Sequence, residues 1–103
     1  MGGYLEAIRV HDVCAERGVP VWCGGMLETG IGRAMNLALA ALPNFTLTGD
    51  VSASERFWAR DIVDEPVRLQ DGHVHVPTRP GSGVEVDRKF LDSVTTSTVE
   101  VGR

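Results

Sequence analysis

Residues 19–23, Val-Pro-Val-Trp-Cys, form a short β-branched and aromatic run in which no polar side chain alternates with the apolar ones. A strand with one wet face reads as apolar-polar alternation, so an unbroken run describes a strand covered on both faces, and such strands belong to parallel sheets. Parallel neighbours cannot be joined by a tight hairpin and need a crossover, usually helical. The flanks provide one on each side. Residues 4–17 carry Leu5, Ile8 and Ala15, with Tyr4, Ala7 and Cys14 beside them, close to helical spacing, and Gly18 stands where a left-handed cap would end that helix. From Glu28 or Thr29 a second helical pattern runs to Leu42, with Ile31, Ala34, Met35, Ala38 and Leu42 on one face and Pro43 as the stop. Residues 44–48 read as another brief strand, and Ser52-x-x-Glu55 is a capping-box pattern that predicts a short helix over 55–62. Helix, strand, helix, strand, helix is the order of an α/β fold.

Beyond residue 65 the pattern changes. Two short alternating runs flank Asp71 and Gly72, a hairpin signal. Residues 78–83 read as a loop, 87–94 as a helical turn or two, and 96–101 as a terminal strand candidate. Two parallel strands with three helices make a sheet too narrow to cover itself, and a buried-type strand left at an edge invites further pairing. The sequence therefore reads as a slice of a larger sheet.

Composition narrows the function classes. With 43% hydrophobic and 23% charged residues and a net charge of −4, the chain has no basic block of the kind that binds nucleic acid. Cys14 and Cys23 form neither a C-x-x-C pair nor a disulfide framework, and read as reduced thiols of a cytoplasmic protein. The first ten residues lack the basic and apolar regions of a signal peptide, Glu6 occupies the position where a myristoylation signal needs Ser or Thr, and no apolar window reaches the roughly eighteen residues of a membrane span. No membrane partner is expected.

The glycines between the first strand and the second helix raise the question of a phosphate loop. Gly25-x-x-x-x-Gly30 continues as Ile31-Gly32, where a P-loop needs Lys followed by Ser or Thr, and Gly30-x-Gly32 lacks the third glycine of a dinucleotide fingerprint. What survives is generic, namely free amides at a helix N-terminus that can hold an anion. His73 and His75, two apart on a strand, make at most half a metal site and read as exposed hairpin residues; His11 reads as partly exposed. Glu28 and Glu55 sit near helix starts, where the dipole accounts for them, and Asp61, Asp64 and Glu65 read as a solvated face. Asp50 alone stands above this background, because it follows a strand where α/β barrels place functional groups.

A resemblance organises these features. Val21-Trp22-Cys23-Gly24-Gly25-Met26, Glu28-Thr29-Gly30, Gly32-Arg33, Pro43-Asn44-Phe45, Gly49-Asp50 and Ser52-Ala53-Ser54 resemble the C-terminal part of the enolase superfamily, close to the N-acylamino acid racemase and o-succinylbenzoate synthase group among its mandelate racemase-like members. The likeness runs from Gly2 into the tail and includes residues 66–84. It implies an α/β fold that is the C-terminal portion of a (β/α) TIM-type barrel, from the sixth helix to the eighth strand and helix. Residues 1–65 would be partial barrel, with 19–23 and 45–48 as its seventh and eighth strands, and 66–103 a hairpin-bearing tail that packs on the N-terminal capping domain.

In such enzymes a divalent metal, usually magnesium, held by three carboxylates stabilises an enediolate while lysines on the second and sixth strands move the α-proton. Racemases use two opposed lysines; in the synthase one abstracts the proton and water leaves. The residues carried over by the resemblance are Gly25, Met26 and Leu27 as substrate-pocket rim and Phe57 as a pocket wall. No position matches a catalytic lysine or a metal carboxylate, and Lys89, the only lysine, is not a counterpart. The implied partners are an N-acylamino acid or related carboxylate, and either further copies of the chain or a missing N-terminal half. The resemblance thus implies an isomerase or lyase by descent that is inactive by itself. The family usually has Val where this chain has Met1, which leads to the expectation of an internal start in a longer frame.

Overall fold

The first amphipathic segment folds as α1 (Tyr4–Glu16) and ends as expected at Gly18, which adopts a left-handed φ of 65°. The Val19 amide donates to the Cys14 carbonyl at 2.9 Å and the Gly18 amide to that of Ala15 at 3.1 Å, the paired bonds of a Schellman cap. This is a computed structural model that describes residues 2–102, so the expectation attached to Met1 lies outside the described residues. The buried face of α1 is Ala7 and His11, whereas Leu5 is 77% exposed. The reading of His11 as a surface residue is therefore corrected. Its ring stacks on Phe45 with centroids 5.6 Å apart, its Nε2 accepts the Asn44 amide at 3.1 Å, and its Nδ1 lies 2.8 Å from Asp12 Oδ1. With Nε2 accepting, the ring proton is on Nδ1 and is donated to Asp12. A flat amphipathic ring fills the gap and satisfies an amide that a leucine would leave bare.

Residues 19–26 and 44–51 run side by side in the same direction. The Val21 amide donates to Asn44 O (3.1 Å), the Leu47 amide to Val21 O (3.2 Å) and the Asp50 amide to Cys23 O (3.4 Å). Between the last two bonds one segment advances from 21 to 23 and the other from 47 to 50, a bulge, and the Thr46 amide turns back onto Asn44 O. The two predicted strands are thus extended, parallel and hydrogen-bonded but irregular, and form no continuous ladder. Pro20 supplies no amide, and each segment has one neighbour instead of two. Their close approach depends on missing side chains: a Cβ at Gly49 would lie 2.9 Å from Cys23 O, and one at Gly25 2.9 Å from Asp50 O and from Val51 Cα.

Between them, α2 (Gly30–Ala40) buries Gly30, Arg33, Ala34 and Leu37. That stripe is rotated from the predicted one. Ala34 is common to both, but Ala38 is exposed, and Met35, Ala38 and Leu42 line, with Tyr4 and Ile8, an open apolar groove of about 300 Å³ between the helices. The sequence pattern identified the more apolar face, while the packed face contains a charge.

Further along, the helix predicted over 55–62 is only a 3-10 turn, Ser54–Arg56, with Ala53 at its start and no side-chain cap. The capping box does not form: the turn starts one residue late, after Ala53, and Ser52 is engaged by Arg33, Nη1 lying 2.6 Å from its carbonyl and 3.2 Å from its Oγ. The hairpin forms as predicted: β1 (Leu69–Gln70) pairs antiparallel with β2 (His73–Val74) across Asp71 and Gly72, with φ of 49° and 77°. Two consecutive positive φ values make a type I′ turn. The tail then doubles back. Val63 bridges Val86, the Asp64 amide reaches Glu85 O, and the Asp87 amide reaches Ile62 O. Asp87 caps α3 (Arg88–Val94) by accepting the Phe90 amide at 3.0 Å. Residues 95–102 have no regular secondary structure and form no strand pairing among the described residues, and Val99 and Val101 are 81% and 88% exposed. The terminal strand expected over 96–101 is therefore not formed among the described residues.

Candidate functional site

The two parallel segments end together, and the loops that follow them form one rim. Asp50 accepts the Gly25 amide at 2.5 Å, so the strongest acidic candidate braces one loop against the other. Glu28 folds back to accept the Met26 amide with both carboxylate oxygens, at 2.9 and 2.8 Å. Asn36 Nδ2 also reaches Glu28 Oε1 (3.3 Å), and Tyr4 Oη reaches Asn36 Oδ1 (3.4 Å), which ties the rim to both helices. On this braced backbone the Met26 and Leu27 side chains stand out, 73% and 59% exposed. The Phe57 ring lies 5.7 Å from both the Arg33 and Arg56 guanidinium carbons.

The start of α2 is occupied. Its first amide, Gly30, donates to Asp61 Oδ1 at 2.8 Å, and Asp61 is buried, which corrects its reading as part of a solvated face. Asp61 and Glu28 together place two carboxylates around this helix end. They complement the dipole themselves and would repel an added anion, so the generic anion-site reading does not hold here.

Local charge also acts on Cys23 and Tyr4. Burial foremost, then Glu28 and Asp50, pushes the Cys23 thiol up; burial, then Cys23 and Glu28, pushes the Tyr4 hydroxyl up. The thiol is thus kept protonated and makes only weak contacts with Gly24 O and Asn36 O. His75 falls outside the strand that holds His73, so the pair does not share a strand face.

The sequence profile of the enolase C-terminal domain-like family matches residues 1–90. The chain belongs to this family. Among its relatives, an N-succinylamino acid racemase from Amycolatopsis sp is 64% identical over 102 residues, which is 99% of this chain and 27% of that protein. An o-succinylbenzoate synthase from Geobacillus kaustophilus is 54% identical over 95 residues, 92% of this chain and 25% of that protein. A crystal structure of an enolase superfamily member from Listeria innocua superposes with a TM-score of 0.88 at 49% identity, covering 93% of this chain and 26% of that one. The enolase-like chain therefore spans about a quarter of the length of the relatives it matches, and the resemblance read from residues 17–54 identified the family.

Among the described residues no three His, Cys, Asp or Glu side chains converge, and the rim carboxylates Asp50 and Glu28 are committed to backbone amides. The donor set among the described residues does not fit a metal cage. Lys89, the sole lysine, lies exposed on α3.

Three residues without an expected role in the site hold this region together: Arg33, Asp61, expected on a solvated face, and Trp58, whose Nε1 donates to Glu28 O at 3.1 Å. Arg33 had a legible signal. It stands three residues from Gly30 and four from Leu37, a cation on what proves to be the buried stripe.

Proposed function

We propose that this chain is the closing portion of a (β/α) barrel of the N-acylamino acid racemase or o-succinylbenzoate synthase type, and that it contributes a substrate-pocket rim made of Gly25, Met26 and Leu27 with Phe57 as a wall. Residues 1–65 would run from the sixth helix to the eighth strand and helix, and 66–103 would be the tail that packs on a capping domain. The observation that carries this reading is the pair of parallel segments whose following loops meet in one braced rim, since barrel enzymes build their sites at that end of the strands. The substrate would be an N-acylamino acid or related carboxylate undergoing α-proton abstraction. The proton-moving lysines and the carboxylates for magnesium would come from a separate N-terminal portion, so the chain alone would be inactive. The rim's own part is to bound the substrate and keep water from it.

The test is to mix the chain with the upstream portion of the Amycolatopsis relative. Mass by light scattering and deuterium uptake at the α-carbon of N-succinylated amino acids, with magnesium present, are then followed. A one-to-one complex that exchanges the α-proton, with no exchange by either part alone, is expected; a complex that forms and exchanges nothing would count against the reading. A second reading, a non-catalytic module that self-associates, is favoured by the exposed Val19, Trp22 and Leu47 along the parallel segments. It predicts a defined homo-oligomer that the upstream portion does not displace.

A further inference from the structure

Arg33 is the most deeply buried large side chain of the protein, at 0% exposure, and among the described residues no carboxylate lies within ion-pair distance of it. A buried cation is costly unless its donors are met, and here they are met by backbone. Nη1 donates to Ser52 O at 2.6 Å, in the loop that follows the second parallel segment. Nη2 donates to Glu28 O at 2.7 Å, in the loop that follows the first. Nε has no partner. The guanidinium is thus arranged to span two loops more than to satisfy itself, which requires a planar fork with donors in divergent directions. The Glu28 carbonyl also receives Trp58 Nε1 at 3.1 Å, so two donors hold it, and its own carboxylate holds the Met26 amide.

We propose that Arg33 is a positioning residue for the rim: it clamps the loops after the two parallel segments and, through Glu28, fixes the backbone of Met26. Its bearing on ligand binding rests on the rim reading above; the clamp itself does not.

The test is amide hydrogen exchange by NMR on the full chain and on Arg33→Lys and Glu28→Gln. Lysine keeps the charge but cannot reach both loops, and Glu28→Gln weakens only the last link. Exchange at Met26 should accelerate about tenfold or more in both, the loss of one charge-assisted bond, while amides in the middle of α1 keep their rates. An unchanged Met26 rate, or an equal acceleration everywhere, overturns the proposal. Should Arg33→Lys not fold, the wild-type guanidinium decides: distinct, slowly exchanging Nη signals are expected, and one averaged signal overturns it. If Met26 loosens in Arg33→Lys but the assembled enzyme binds its N-acylamino acid unchanged, the rim reading fails and the clamp stands.

Discussion

At the scale of single residues, the polar groups that shape this molecule come from far along the chain. Asp61 caps a helix that begins thirty-one residues earlier, and its second oxygen is buried without a partner among the described residues. Asp61→Ala removes the cap from Gly30 and from the Ile62 amide, and is expected to cost about 1–3 kcal/mol, read as a lower urea midpoint at unchanged slope. Cys23 gives a pH-dependent prediction. Its folded thiol titrates above its unfolded value, so the stability it contributes is complete below about pH 8.5 and is lost as pH rises through the folded value. Iodoacetamide should therefore modify the half-buried Cys14 well before Cys23 at pH 8, with the gap closing in urea; equal rates in the native protein would contradict the buried, protonated thiol.

Elements differ in how far the sequence determines them. The Gly18 cap, the Asp71-Gly72 turn and the bounds of α2 were legible because local chemistry alone decides them: a left-handed residue, a I′ turn and a Pro43 stop. The 3-10 turn and the face of α2 were not, because both involve a contact between residues 33 and 52, nineteen positions apart, that no local pattern reports. The strands were half legible. Their parallel direction was right, but the expected burial on both faces was not: Val19, Trp22 and Leu47 are about half exposed, and with one neighbour each the segments form no regular ladder. Outside the rim, the tail predicts acid sensitivity. The Phe90 amide first, then Arg60, holds the Asp87 carboxyl below its ordinary value, and the Glu85 amide first, then Arg79, does the same for Asp64. A carboxyl with a lowered folded value stabilises above its unfolded value near pH 4 and ceases to do so as pH falls through the folded one. Amides of α3 should lose protection in that window before those of α1 do, and Asp87→Asn should abolish most of the difference.

For the whole molecule, the balance of surface decides behaviour in solution. The buried apolar set is Ala7, Cys23, Ala34, Leu37, Ala53, Val63 and Val67, mostly small side chains, while Trp22, Val19 and Leu47 are about half exposed along segments with unpaired edges. Such a chain is expected to associate, and light scattering at micromolar concentration should give a mass above the 11.1 kDa of one copy. A stable monomer with cooperative melting would show that the small core suffices. The same balance separates what can change from what cannot. Gly25 and Gly49 are locked by the backbone pressed against them, whereas Met26 and Leu27 project from a loop whose shape is held by other residues. New side chains at 26 and 27 alter the contour of the rim at little cost in folding; on the proposed reading of that rim as a substrate boundary, a directed-evolution library aimed at a different acyl group needs diversity at those two positions and none at the glycines.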